Sequence, residues 1–177
     1  SGGVAGATDA RLTFIVGGSE QAFQKAEPIL AHMGHAVLHM GVAGSGAAGK
    51  ICNNMILGVS MIAVSEAFIL AEKLGLSAQK FHELVSQASG KCWVMDNYVP
   101  VPGVLPDVPA NHDYKPGFTS AMMLKDLRLA EEAARREGVH VGMGAVARAM
   151  YEEADEINRD LDFSSIIRFT RTLTVNK

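Results

Sequence analysis

Lys50 and Asn54 stand four residues apart, directly after the glycine-dense run Gly44-Ser45-Gly46-Ala47-Ala48-Gly49. The run delivers the lysine onto the first turn of a long apolar helix, where side chains at i and i+4 share one face. An amine and a carboxamide projected into one small space can exchange and orient protons. A lysine held on a rigid apolar element loses solvation and becomes a usable acid or base near neutral pH. The plainer reading is a lysine whose stem covers apolar surface while its amine reaches water. A helix N-terminus is the unfavourable end for a cation, so the placement asks for a further reason, and acid–base catalysis would be one.

Other spacings are less informative. Gly44-x-Gly46-x-x-Gly49 has the letters of a dinucleotide fingerprint, but that motif needs a return strand ending in an acidic residue. Here the helix simply continues, with Glu66 inside it. Gly44-x4-Gly49-Lys50 falls short of a phosphate loop because Ile51 stands where a serine or threonine must hold magnesium. His32, His35 and His39 imitate metal spacing, yet Gly34 divides them between a helix end and a strand, so no metal site is expected. Trp93 and Tyr98 flank a proline-rich stretch, either as a hydrophobic plug or as a wall of a substrate pocket. Lys125-Asp126 has the appearance of an ordinary solvated pair on a helix.

The elements that must position these groups follow from the hydrophobic pattern. Leu12-Thr13-Phe14-Ile15-Val16 reads as a strand, and Ser19 caps a helix over about 20–33 that Gly34 closes. His35 to Met40 reads as a second strand. A β-α-β piece this small cannot bury both faces of its sheet, so absent strands or another chain must cover it. Residues 46–73 read as one long helix, apolar nearly all round and dotted with Gly58, Ser60, Ala63, Ser65 and Ala67. Small residues let neighbouring helices approach closely. Ser77 caps a helix to about 88, and residues 89–117, with five prolines, read as a long ordered loop. Thr119 precedes a helix to about 137, another spans about 142–157, and Phe163-Ser164-Ser165 introduces a short last one. The chain is α/β before residues 42–45 and all-α after them.

Composition bounds the function classes. Of 177 residues, 48% are hydrophobic and 20% charged, which supports a real core. The net charge of −3 and the lack of a basic stripe argue against nucleic acid as a partner. Two cysteines make no disulfide framework. The apolar run 55–65 is too short to span a bilayer, and Asn53, Asn54 and Glu66 interrupt its extension, so no membrane role is expected. The opening Ser1-Gly2-Gly3 has no initiator methionine and reads as the interior of a longer chain.

With these residues in hand, the chain resembles the C-terminal two-thirds of a 3-hydroxyisobutyrate dehydrogenase, in the β-hydroxyacid dehydrogenase family. Ser1-Gly2-Gly3 is similar to that family's substrate-binding glycine motif, and Gly46-x3-Lys50-x3-Asn54 to its catalytic signature. Gly117-Phe118 followed by Lys125-Asp126 is similar to its segment at the cofactor's nicotinamide end. Ser89-Gly90-Lys91-Cys92-Trp93, Tyr98 and Pro100-Val101-Pro102-Gly103 favour the 3-hydroxyisobutyrate branch over its tartronate semialdehyde relatives.

The resemblance implies a mainly α fold. Residues 1–43 would be the end of a Rossmann domain, and residues 44–177 an all-α domain of the 6-phosphogluconate dehydrogenase C-terminal type around a long buried helix. It implies NAD as cofactor and a small 3-hydroxy acid as substrate, in valine catabolism, with Lys50 and Asn54 catalytic. Ser1, Gly2, Gly3, Trp93 and Tyr98 would bind substrate, and Phe118, Lys125 and Asp126 the cofactor. It further implies a homodimer or homotetramer, in bacterial cytoplasm or in the mitochondrial matrix of a eukaryote. The family's nucleotide-binding half would lie before Ser1, so the 177 residues alone would not turn over substrate. The rival class is a non-catalytic helical interaction module in which Lys50 and Asn54 only cap and pack.

Overall fold

The computed structural model describes residues 1–174. The chain divides into two compact units, Ser1–Asn54 and Met55–Lys177.

The first unit holds α1 (Gly3–Thr8), β1 (Leu12–Val16), α2 (Glu20–Leu30) and β2 (Gly34–His39). The strands pair in parallel, from Leu12↔Gly34 to Val16↔His39, with an irregularity after Leu12. All five β1 residues are only half-buried, as expected for a sheet too small to cover itself. The Ser19 hydroxyl caps α2 by accepting from the Ala22 amide at 3.2 Å. That helix ends at Leu30, three residues before the expected stop, because the Ala31 amide bonds back to the Glu27 and Ile29 carbonyls and tightens the last turn. The short α1 is not legible in the sequence, since Gly3 and Gly6 lower its helix propensity.

Two close backbone approaches fix this unit. A Cβ on Gly34 would lie 2.2 Å from the Leu12 carbonyl oxygen, and one on Gly46 would lie 2.4 Å from the Ile15 carbonyl oxygen and 2.8 Å from the Gly17 amide. The glycines that imitate a dinucleotide fingerprint therefore include one that seats a helix start against the end of β1.

Helix α3 runs from Ser45 to Lys73, 29 residues, and its last part belongs to the second unit. By length and composition it could cross a membrane, which the apolar run 55–65 alone understates, but half of its most apolar stretch is buried inside the protein. That burial marks a core helix. Met61, Ile62, Val64 and Phe68 of α3 pack with Met123, Leu124 and Leu127 of α6 (Ser120–Arg136) and with Ala147 and Tyr151 of α7 (Gly142–Glu153). Gly58 permits the approach: a Cβ there would meet the Met123 sulfur at 3.0 Å and Leu127 Cδ2 at 3.1 Å.

Between them lie α4 (Ala78–Val85) and α5 (Trp93–Asn97). Ser77 caps α4 through the Lys80 amide at 3.3 Å, and Thr119 caps α6 through the Met122 amide at 3.2 Å. The stretch 89–117 is ordered but not all loop, for it contains α5 and a 3-10 turn at Pro109–His112. Asn111 braces it, donating to the Leu105 carbonyl and accepting from the Gly103 amide, both at 2.8 Å. The helix expected over 142–157 breaks at Ala154 into α7 and α8 (Asp155–Asn158). A second 3-10 turn, Phe163–Ser165, leads into α9 (Ile166–Thr172).

Gly46→Ala presses a methyl onto two backbone groups that cannot step aside, and should destabilise the protein by about 1–3 kcal/mol. Gly49→Ala meets only the Met40 and Ile15 side chains, at 3.3 and 3.4 Å, and gains helix propensity, so its change should stay within about 1 kcal/mol. Urea unfolding midpoints of the two variants measure the contrast.

Candidate active site

In the first unit, Gly44 makes the turn into α3 with φ +93°, and the Ser45 hydroxyl donates to the Val42 carbonyl at 2.7 Å. Lys50 is thereby the sixth residue of the helix, in its second turn and not its first. The penalty on a cation fades beyond the first turn, so that part of the argument for a special role lapses. Lys50 is also exposed, whereas the apolar helix suggested a desolvated amine. The difference has a simple cause: its turn of α3 lies where the helix meets a thin two-stranded sheet, before the helical core begins.

Asn54, one turn on, is only 3% exposed, and its carboxamide oxygen accepts from the Asn53 side chain at 3.1 Å. The helix thus carries an exposed amine and, four residues on, a buried carboxamide. Ser1 lies near enough to Lys50 for the lysine's charge to be felt there. Ser1 is held on β1 by a pair of backbone bonds, its amine to the Thr13 carbonyl at 2.7 Å and the Thr13 amide to its carbonyl at 2.8 Å. Gly2 and Gly3 carry φ of +130° and +64°, conformations that favour glycine. Ser1, Gly2, Gly3, Lys50 and Asn54 therefore share one small unit.

In the second unit the aromatic residues form a stack. The Trp93 and Tyr98 rings lie 5.5 Å apart, and Tyr98 stacks on Phe163 at 5.2 Å. Phe118 meets Phe163 edge-on at 5.6 Å. Trp93 remains 54% exposed, so it is no plug, while Tyr98 is half-buried and anchored. The Tyr98 hydroxyl donates to Asp162 Oδ2 at 2.9 Å. Burial first, then the Asp162 charge and this hydrogen bond, push the phenol pKa far up, so Tyr98 remains a donor.

Asp162 does not stand out in the sequence. It is fully buried, and its Oδ2 also accepts from the Phe118 and Gly117 amides at 3.3 and 3.4 Å. Its Oδ1 accepts from the Ser164 amide at 3.0 Å and the Ser164 hydroxyl at 2.6 Å. The signal lay in Asp162-Phe163-Ser164, the spacing of an acidic cap that closes on the amide two residues on. Starting the last helical segment at Phe163 leaves that cap one residue outside it.

Lys125 and Asp126 form an ion pair at 3.0 Å in which the lysine side chain is 63% exposed and the aspartate 8%. Only half of the pair is the solvated surface the sequence suggested. Among the histidines, His35 Nδ1 bonds the Arg11 carbonyl at 2.8 Å, and His39 bonds the Gly18 carbonyl at 2.8 Å and stacks on Phe23. Both are tied into the small unit's own packing.

Comparison with known proteins adds to this geometry. The family model for the NAD-binding region of NADP-dependent 3-hydroxyisobutyrate dehydrogenase matches residues 44–170, and that for the NAD-binding domain of 6-phosphogluconate dehydrogenase matches residues 1–41. A probable 3-hydroxyisobutyrate dehydrogenase of Mycobacterium tuberculosis H37Rv is 47% identical over 171 residues, covering 97% of this chain and 58% of the relative. The mitochondrial 3-hydroxyisobutyrate dehydrogenase of Drosophila melanogaster is 45% identical, covering 94% and 52%. A solved structure of the Mycobacterium tuberculosis 3-hydroxyisobutyrate dehydrogenase with L-serine superposes with a TM-score of 0.92 at 47% identity, covering 97% of this chain and 59% of that one. The chain thus spans a little over half the length of the relatives it matches. With one family model running through α3, the aromatic stack and α6, the chain belongs to the NAD-binding family of NADP-dependent 3-hydroxyisobutyrate dehydrogenases.

Proposed function

We propose that the complete protein oxidises 3-hydroxyisobutyrate to methylmalonate semialdehyde, reversibly, with a nicotinamide dinucleotide as the oxidant. The observation that carries this reading is the pairing of Lys50 with buried Asn54 on α3, inside a family match that spans the helical unit. The substrate class is supported by the relatives' names and by the L-serine that accompanies the related Mycobacterium tuberculosis structure, itself a three-carbon 3-hydroxy acid. NAD is our choice of cofactor.

A bound nicotinamide would supply the acceptor for the hydride that leaves the carbinol carbon. The chain's residues do the rest. Lys50 accepts the hydroxyl proton as the hydride leaves and returns it in the reverse direction, general acid–base help worth about 10²–10⁴ in rate. Asn54, fixed by burial and by Asn53, orients that proton transfer. Ser1 and the Gly2-Gly3 backbone hold the substrate carboxylate, the glycines allowing close approach. Trp93 and Tyr98 line the substrate side. Phe118, half-buried and with its amide held on Asp162, offers an aromatic surface for the nicotinamide end. Lys125, anchored on Asp126, would hold the cofactor's ribose. Phe118 and Lys125 would serve that end of the cofactor, while Gly46 packs against β1.

We also propose that the protein is a homodimer or homotetramer. On α3, Ile56, Ser60, Ala63, Ala67 and Leu70 recur at helical spacing, and Ile56 and Leu70 are 64% and 60% exposed. A bacterial source would put the protein in the cytoplasm. A eukaryotic one would put it in the mitochondrial matrix, in keeping with the name of the Drosophila relative.

The test is a panel of 3-hydroxy acids, with tartronate semialdehyde in the reductive direction, assayed on the complete protein with NAD and NADP. We expect 3-hydroxyisobutyrate to give the highest kcat/KM. In the same assay Lys50→Ala should lose about 10²–10⁴ in kcat; wild-type turnover in that variant would rule out the lysine's role. Lys125→Ala should raise the cofactor KM by about tenfold, the effect of losing roughly one charge-assisted hydrogen bond, with kcat little changed. A defect confined to kcat would contradict it. Light scattering on Ile56→Asp should report a smaller assembly than wild type if the α3 stripe joins subunits.

A further inference from the structure

We infer that Asp162 is a positioning residue that couples the substrate-side aromatics to the cofactor-side backbone through a single carboxylate oxygen, an inference that rests on the reading of Tyr98 and Phe118 given above. Three donors converge on Oδ2: the Tyr98 hydroxyl at 2.9 Å, the Phe118 amide at 3.3 Å and the Gly117 amide at 3.4 Å. The carboxylate cannot swing to serve one donor at the expense of another. Its Oδ1 is pinned by the Ser164 amide and hydroxyl, at 3.0 and 2.6 Å, in the 3-10 turn that starts at Phe163.

The backbone around it is pinned as well. The Asp162 amide donates to the Tyr114 carbonyl, and the Phe163 amide to the Phe118 carbonyl, both at 2.8 Å. Asp162 therefore sits at the crossing of three stretches far apart in sequence: Tyr98 after α5, Tyr114 to Phe118 before α6, and the turn that opens α9.

The shared oxygen gives the coupling its direction. With the carboxylate fixed, a Tyr98 phenol that shifts away leaves Oδ2 to the 117–118 amides, whose bonds at 3.4 and 3.3 Å have room to shorten. Tyr98 in turn carries the half-exposed Trp93 ring on its face. Occupation of the aromatic side by substrate and occupation of the Phe118 side by cofactor thereby bear on the same atom. A purely structural carboxylate would tie the elements together without making one side's ligand sensitive to the other side's side chain.

The test measures cofactor affinity of the complete protein by calorimetry without substrate, for wild type, Tyr98→Phe, Asp162→Asn and the double variant. Tyr98→Phe keeps the ring stack and removes one donor from Oδ2. We expect it to raise the cofactor Kd about threefold, and Asp162→Asn about tenfold, with the double variant no weaker than Asp162→Asn alone. An effect on fold alone would lower the active fraction and leave Kd at its wild-type value. A wild-type cofactor Kd in Tyr98→Phe overturns the proposal whatever Asp162→Asn does, and decides the matter if Asp162→Asn fails to fold. A wild-type protein that binds cofactor but does not oxidise 3-hydroxyisobutyrate sinks only the substrate assignment. One that binds no nicotinamide cofactor sinks both.

Discussion

Asp162 takes five hydrogen bonds from donors and gives its carboxylate no contact with water. Burying an ionised carboxylate costs several kcal/mol, and hydrogen bonds to a charged group return about 1.5–3 kcal/mol each. The arrangement is tenable only because nearly every lone pair is met, which demands that Tyr98, Gly117, Phe118 and Ser164 all stand in place at once. The solvation of this one group thus helps to order the end of the long segment before α6, which Asn111 braces further back. Remove the donors and the carboxylate has no reason to stay inside; remove the carboxylate and three backbone amides lose their acceptor.

The smaller unit is built on a different constraint, contact between backbones. Where Gly34 meets Leu12 and Gly46 meets Ile15, the approach is closer than any side chain permits. Glycine is dense in this stretch for steric reasons, and its likeness to a nucleotide-binding loop follows from the same need: a helix must start tight against a strand end. The result for the chemistry is a helix whose first turn is immobilised on the sheet, so that Lys50 leaves a rigid base even though its side chain is exposed.

The elements legible in the sequence are those announced by local chemistry. Ser19, Ser77 and Thr119 each accept from the amide three residues on, as cap residues do. The strand at Leu12–Val16 follows from a β-branched and aromatic run that ends at Gly17, and that at Gly34–His39 from a short apolar run that Gly34 opens and Gly41 stops. What escapes is set by tertiary contacts: α1 forms despite its glycines, α5 forms within a proline-rich stretch because Val94 and Met95 are drawn into the core, and Ala154 interrupts what reads as one helix. The site divides the same way. The Lys50–Asn54 spacing is a local fact of any helix, whereas Asp162 acquires its meaning from donors 44 and more residues away. Sequence order carries no mark of that distance. The exposure of Lys50 is hidden for the same reason: the apolar stretch that follows it in sequence is not what surrounds it in space.

That exposure bears on how the amine could work. An acid–base group must be reached by substrate from solvent, so full burial on α3 would have closed the route; its orienting partner has no such need. In an α-helix the rise is about 1.5 Å per residue, so Asn54 sits about 6 Å further along the axis than Lys50 on the same face. There the carboxamide is buried and held by Asn53. One exposed group and one buried group, a turn apart on a rigid rod, would suit the roles proposed for them, an amine that moves to meet a ligand and a neighbour that limits where it comes to rest. An arrangement with both groups buried would lose access, and one with both exposed would lose geometry. Within the smaller unit, the change along α3 from exposure at Lys50 to burial at Asn54 is what would separate the two roles.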